Sequence, residues 1–209
     1  MVDDVQTAIR DKIVRTGRGR VFIAKDFLDL GSRDAVDQAL SRLAKTGDIQ
    51  RLGRGLYQDP QMNKRLGISV APDADEIADV LGRQTGCRVT PSGAFAANQL
   101  GLSTQVPAKP VYLTDGRSRQ VKVGNSVFTI KHVAPKELPV ESRMSATVFQ
   151  ALKHLGKDAI DDRAIARLRR LLPAKARQEL LRNARYTTDW IGALVRMITQ
   201  DETRSVTHG

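Results

Sequence analysis

From residue 31 onward the apolar positions fall into a helical rhythm. Val36, Ala39, Leu40 and Leu43 stand at i, i+3, i+4 and i+7, the spacing that places side chains on one face of a helix. Asp34, Gln38, Ser41 and Lys45 occupy the opposite face, with Asp37 and Arg42 on its flanks. Gly31 is a turn residue before this helix, Ser32 an N-cap, and Asp34 places negative charge in the first turn, where it suits the dipole. Gly47 is a stop of the C′ type. Ile49-Gln50-Arg51 then reads as a short strand, Gly53-Arg54-Gly55 as a tight turn, and Leu56-Tyr57 as the returning strand. Upstream, Val5, Ala8, Ile9 and Ile13 predict a first helix from Val2 to Arg15. A glycine-flanked basic loop follows over residues 16–20, then a short strand Val21-Phe22-Ile23 and a short second helix from Lys25 to Leu30. Helix, strand, helix, turn, helix, hairpin is the order of a winged helix-turn-helix domain, expected over residues 1–60.

The rhythm breaks between Gln58 and Asp73, where Pro60, Gly67 and Pro72 punctuate the chain, and residues 61–72 are expected to be a linker. A second domain is expected over residues 73–199. It opens with a helix from Ala74 to Gly82 and a second, alanine-rich one from Ala94 to Leu100 after Pro91-Ser92-Gly93. Val111–Thr114 reads as a strand ending at the turn pair Asp115-Gly116, and two more strands flank Gly124-Asn125. Four further helices are marked by Val148 and Leu152, by Ile165 and Leu168, by Leu180 and Leu181, and by Ile191, Leu194, Val195 and Ile198. Residues 200–209 are expected to be a flexible tail. The fold class read from the pattern is α+β: an N-terminal winged helix-turn-helix, then a mixed α/β domain with a small antiparallel sheet and a C-terminal helical part.

Composition narrows the class of partner. The net charge of +11 and pI near 10.2 favour a polyanion, most often nucleic acid. That charge is unevenly placed. Residues 1–60 carry 11 Lys/Arg against 9 Asp/Glu, net +2; residues 61–139 carry 10 against 6, net +4; residues 140–209 carry 13 against 8, net +5. A DNA reader in the first domain therefore depends on where its charges stand. The single cysteine, Cys87, excludes an internal disulfide and a multi-cysteine zinc site and is compatible with a reducing cytosol. The N-terminus lacks the charged start and apolar run of a signal peptide. No apolar stretch approaches the roughly 20 residues of a membrane helix. A cytoplasmic protein without membrane contact is expected.

Signals for catalysis are few. His132, His154 and His208 are far apart and in no metal-ligand spacing. Phosphate-loop, dinucleotide and nucleophile-elbow motifs are absent. Gly53-Arg54-Gly55 is followed by no helix whose N-terminus would complete a phosphate site. Asp161-Asp162 is better explained by helix capping. The expectation is a protein that is not an enzyme and takes no cofactor or metal.

Signals for binding are stronger. On the expected recognition helix Gln38 is a candidate for an adenine edge, and Ser41, Arg42 and Lys45 are candidates for bases or phosphates. Ser32 and Arg33 stand at the helix start, and Arg33 is suited to the DNA backbone. Arg51 and Arg54 on the wing, with Arg18 and Arg20 on the first loop, are candidates for phosphate or minor-groove contacts. For each of these the alternative is a solvated surface charge. Farther along, Arg163, Arg167 and Arg170 recur on one helix face, and Lys109, Arg117, Arg119 and Lys122 surround the expected sheet. Both sets suit either a solvated face or a surface for an acidic partner or flanking DNA.

Two blocks, VFIAKDFLDLGSRDAVDQALSRLAKTGDIQRLGRGLYQDP and PSGAFAANQLGLSTQVPAKPVYLTDGRSRQVKVG, together resemble the AbiEi antitoxin family of type IV toxin–antitoxin systems. The resemblance spans roughly residues 8–199. It implies a DNA-binding first domain that represses its own operon by binding a double-stranded promoter inverted repeat, and a second domain with antitoxin activity. The implied toxin is a nucleotidyltransferase-like protein, opposed without a required stable complex. The basic wing residues of the family map onto Arg51 and Arg54. The other expectation is a stand-alone winged-helix regulator whose second domain senses a ligand or mediates assembly.

Overall fold

The computed structural model of the chain describes residues 2–17, 19–63, 65, 67–70, 72–107, 109–124, 126–138 and 142–200. Among them the fold is α+β, with eight α-helices and nine short strands in small sheets. In chain order come α1 (Val2–Thr16), β1 (Val21–Phe22), α2 (Arg33–Thr46), β2 (Gln50–Gly53), β3 (Leu56–Gln58), β4 (Met62–Asn63), β5 (Ile68–Ser69) and α3 (Ala74–Thr85). Then follow β6 (Val89–Pro91), α4 (Gly93–Gln99), β7 (Val111–Thr114), β8 (Arg119–Val123) and β9 (Ser126–His132). Last are α5 (Arg143–Leu155), α6 (Asp162–Leu171), α7 (Ala174–Asn183) and α8 (Asp189–Thr199).

Contacts divide the chain into two compact units. The first runs to Cys87 and also takes in Arg119–Phe128; the second holds Arg88–Ser118 and the chain from Thr129 onward. This division differs from the expected domains: α3, placed by the sequence reading in the second, belongs to the first unit, and so does a hairpin more than thirty residues beyond it. The reason is local to the first unit. Glu76 on α3 accepts from the Val21 amide at 3.1 Å and pairs with Arg20 at 2.9 Å, which ties the helix to β1.

In the first unit β3 is the central strand, antiparallel to β1 through Val21↔Gln58 and to β2 through Gln50↔Gln58. The core beneath it joins Ile9, Phe22, Phe27, Val36, Leu40, Leu43 and Tyr57. Phe22 meets Phe27 edge-on at 5.4 Å and stacks on Tyr57 at 6.3 Å, geometries that favour aromatic pairs. The expected helix Lys25–Leu30 is instead a single 3-10 turn, Ala24–Phe27. Asp26 Oδ2 accepts the Ile23 amide at 3.0 Å, and so short a segment gains too few hydrogen bonds to nucleate an α-helix. Where a linker was expected, β4 and β5 form a two-residue antiparallel pairing, Met62↔Ser69 and Asn63↔Ile68. Strands this short leave no hydrophobic period to read.

The second unit is built on α4 against α5. Gly93 makes this approach possible: a Cβ there would lie 2.5 Å from the Cβ of His154 and 3.0 Å from the Gln150 carbonyl. Ala96, Ala97, Val148, Ala151 and Leu152 fill the seam and continue into Leu168, Leu180, Ile191 and Val195. Side-chain caps begin two of these helices: Ser142 accepts from the Ser145 amide and Asp161 from the Ala164 amide, each satisfying a donor the helix leaves open. The sheet of this unit corrects the expectation of an antiparallel one. β6 and β7 are antiparallel, but β7 and β9 run parallel, Val111↔Thr129 through Thr114↔His132. A parallel pairing of β7 with β9 is open to the chain because another strand, β8, intervenes between them in sequence.

One ion pair closes the β6–β7 end. Arg88 donates its backbone amide to Asp115 Oδ1 at 2.8 Å and its Nε to Oδ2 at 2.7 Å, and its Nη1 reaches the Leu138 carbonyl. Burial by itself would raise the Asp115 carboxyl, but the Arg88 hydrogen bonds and charge outweigh it and hold the group below the usual carboxylate range. The unfolded carboxyl titrates near about 4, so the stabilisation is complete above that pH and fades as acid carries the solution through the lowered folded value. Asp115→Ala is expected to cost about 2 kcal/mol at pH 7. Urea midpoints taken at pH 7 and pH 3 check this. The gap between wild type and variant should narrow in acid, and an equal gap at both values would mean that the charge pair is not its source.

Candidate nucleic-acid interface

Helix α2 carries five of the ten residues expected to contact DNA, with a sixth, Ser32, at its N-cap. Ser32 caps its start, accepting the Ala35 amide at 3.3 Å, and Gly47 ends it at φ +82°, a left-handed conformation that suits glycine. Val36, Ala39 and Leu40 are wholly buried and Leu43 is 1% exposed. With that seam fixed in the core, Ser32, Arg33, Gln38, Ser41, Arg42 and Lys45 are all exposed. Arg33 is held along the helix by Asp37, Nε to Oδ2 at 2.7 Å, an i,i+4 pair that offsets the charge of both. Gln38, Ser41 and Lys45 make no hydrogen bond or ion pair among the described residues, so their polar ends face solvent.

The hairpin β2–β3 follows directly. Its register slips between Arg51 and Gly53, a bulge that increases local twist. Arg51 is exposed, with Nε 3.4 Å from the Gly53 carbonyl, and Arg54 is exposed at the tip beside Gly55, whose φ is +71°. Behind the hairpin, the loop before β1 is pinned. Gly19 donates to the Asp59 carbonyl at 2.8 Å and accepts from the buried Gln58 side chain at 3.1 Å. Arg20 in this loop is the partner of Glu76, so its guanidinium anchors α3 to β1. Arg18 lies outside the described residues.

The candidates beyond residue 100 do not act alike. Arg119, in the first unit, donates Nη2 to the Leu81 carbonyl at 3.0 Å, near the C-terminal end of α3. In the second unit Arg167 donates Nε to the Leu100 carbonyl at 2.8 Å, at the end of α4. Its neighbour Arg169 reaches the Met197 carbonyl with Nε at 3.0 Å and Nη2 at 2.6 Å. At Leu100 and Met197 these cations answer carbonyls that lack helical partners, whereas the Leu81 carbonyl is shared with the Thr85 hydroxyl at 3.0 Å. Lys109, Arg117, Arg163 and Arg170 are exposed. The stripe Arg163, Arg167, Arg170 is therefore two outward charges and one that secures a helix end. Its spacing does not reveal this difference, which depends on where α4 stops.

Among the described residues no group of His, Cys, Asp and Glu stands close enough to hold a metal ion. His132 is engaged in the second unit: Nδ1 is 2.8 Å from the Gly116 carbonyl and the backbone amide donates to Ser118 Oγ at 2.8 Å. No helix is long and apolar enough to cross a membrane among the described residues.

One neighbour of the hairpin has no counterpart in the sequence pattern. Strand β8 lies beside β2 within the first unit. The Gly124 amide donates to the Leu52 carbonyl at 3.2 Å, and Gly53 stands so close that a Cβ would come 2.8 Å from the Lys122 carbonyl. The only signal in the sequence is a pair of glycines, Gly53 and Gly124, at positions where two backbones meet.

Residues 8–180 match a family of unknown function, DUF6088, and the chain belongs to that family. No curated protein matches the chain.

The distinction between Arg167 and its neighbours is directly measurable. Arg167→Ala should destabilise the chain by about 1–2 kcal/mol, as a charge-assisted bond to a helix end is removed. Arg163→Ala and Arg170→Ala should stay within about 0.5 kcal/mol. Urea unfolding of the three variants decides it, and an equal loss of stability at Arg170 would overturn the assignment.

Proposed function

We propose that the first unit is a winged helix-turn-helix domain, with α2 as recognition helix and β2–β3 as wing, and that it binds double-stranded DNA to repress its own operon. The observation that carries this reading is the buried seam of α2. It turns Gln38, Ser41 and Lys45 outward on a helix followed at once by a hairpin with Arg54 at its tip. A helix with one free polar face suits the major groove, and a basic tip suits a phosphate or the minor groove. The overall +11 charge supports a polyanion partner. Asp34 and Asp37 oppose phosphates, so the helix face gains from reading bases and the wing from neutralising the backbone.

The second unit carries antitoxin activity on this reading, against a nucleotidyltransferase-like toxin; its support is the resemblance of residues 21–60 and 91–124 to AbiEi antitoxins. The chain then acts in the cytoplasm, by binding and not by catalysis.

Binding to the promoter inverted repeat is expected to weaken steeply with salt. Arg51→Ala combined with Arg54→Ala should flatten the log–log salt slope by about 2, near 0.9 for each phosphate no longer neutralised. Gln38→Ala should instead relax preference at one base pair, worth about 1–3 kcal/mol. Fluorescence anisotropy across a salt series separates these effects, and promoter binding no stronger than to random DNA would sink the recognition role of α2.

For the antitoxin role, growth is measured with the product of the adjacent gene induced, with and without the full-length chain. Relief of arrest is expected. An arrest that persists while the promoter is still bound leaves a stand-alone regulator.

A further inference from the structure

We propose that the wing is buttressed by β8, which lies beside β2 without joining its sheet, and that Lys122 on it is an additional phosphate contact beside Arg51 and Arg54. The inference rests on the DNA-binding reading of the first unit and extends its interface to a segment almost seventy residues away in sequence.

The contact between the two segments is made by backbone. The Gly124 amide donates to the Leu52 carbonyl at 3.2 Å. At Gly53 there is no room for a side chain, since a Cβ would meet the Lys122 carbonyl at 2.8 Å. A separation that small excludes alanine unless one backbone moves. Arg119, at the start of the same strand, donates to the Leu81 carbonyl, so β8 is fastened to α3 at one end and to β2 at the other. The hairpin is thereby part of the first unit's frame.

Side-chain direction follows from burial. Leu52 on β2 and Val123 on β8 are 7% and 4% exposed and line the same cavity of about 280 Å³, together with Ile77 and Phe128. Successive strand residues point to opposite faces. Lys122 precedes Val123 on β8 and is exposed, which puts it on the face away from the cavity; on β2 the bulge at Leu52 interrupts the alternation, and Arg51 is placed outward by its own exposure against the burial of Leu52. Lys122 makes no hydrogen bond or ion pair among the described residues. A lysine held on the outer face, beside a strand whose own outward residue is Arg51, widens the basic face of the wing. β2 is an edge of the sheet β1-β3-β2, and the close backbone approach of β8 covers that edge. The partner implied is the sugar–phosphate backbone of duplex DNA, where lysine acts as a point charge without base preference.

The test uses the full-length chain and the promoter duplex in a salt series. Lys122→Ala should flatten the log–log slope by about 0.9, and Lys122→Arg should restore it. Gly53→Ala keeps every charge but forces β8 away from β2, so it should lower the slope by a similar amount. Adding Lys122→Ala to Gly53→Ala should then change little. Circular dichroism and the thermal midpoint of each variant confirm that it is folded; if Gly53→Ala unfolds, the Lys122→Ala and Lys122→Arg pair carries the test alone. A wild type that binds DNA, with a slope that responds to Arg54→Ala but not to Lys122→Ala, overturns the role of β8 and leaves the DNA-binding reading standing. A wild type with no salt-dependent binding overturns that reading itself.

Discussion

Four side chains of α2 set what the first unit can do. Val36, Ala39, Leu40 and Leu43 are sealed in the core with Ile9, Phe22 and Tyr57, and burial of each large side chain contributes about 1.5–3 kcal/mol. A helix so anchored has no rotational freedom about its axis. Its opposite face, Gln38, Ser41 and Lys45, is therefore presented in one fixed orientation, which the proposed reading of a rigid duplex requires. The Ser32 cap and the left-handed Gly47 confine the helix to fourteen residues, Arg33–Thr46. This length places the hairpin close behind it with only Gly47, Asp48 and Ile49 between.

The strands are the reverse case. None in the first unit's three-stranded sheet exceeds four residues, and pieces so short are marginal alone. They persist because each is fixed to something else: β1 to α3 through Glu76, β3 between two neighbours, and β2 to β8 through Gly124 and Gly53. Every one of these ties joins backbone to a side chain or backbone to backbone, and most span long stretches of sequence. The sheet is thus a product of tertiary structure, whereas α2 is already specified by its own residues.

The same contrast explains which features are legible in the sequence. Helices α1, α2, α5, α6 and α8 follow from apolar spacing and from capping residues that act within four positions of themselves, such as Ser32, Ser142 and Asp161. The parallel pairing of β7 with β9 is hidden because the turns at Asp115-Gly116 and Gly124-Asn125 are legible but which strand lies beside β7 is not, and no local pattern records strand order. The 3-10 turn at Ala24–Phe27 escapes the pattern because Phe27 and Leu28 look helical and Asp26 caps the Ile23 amide as at a helix start, while the segment is too short to sustain an α-helix. Among the candidate binding residues, exposure of the α2 set is legible from its periodicity. The engagement of Arg20 with Glu76, and of Arg167 with the Leu100 carbonyl, is not. An arginine written in a sequence is the same letter whether it faces solvent or closes a helix end.

This last point bears on how the net charge should be understood. A total of +11 invites the inference of a broadly basic protein, yet several of its cations are already committed within the fold. Arg20, Arg33 and Arg88 are paired with carboxylates, while Arg119, Arg167 and Arg169 answer backbone carbonyls at the ends of helices. A cation that donates to a carbonyl still contributes to the long-range field, which depends on charge and distance. It contributes far less to a phosphate contact, since its donors are directed inward and leaving the carbonyl unsatisfied carries a cost of about 1–3 kcal/mol. Attraction and docking are in consequence separate properties here. On the DNA-binding proposal, the whole chain draws in the polyanion, but close contact falls to cations whose donors are directed outward, and among the described residues of the first unit these include Lys45 on α2, Arg54 at the β2–β3 tip and Lys122 on the strand beside it.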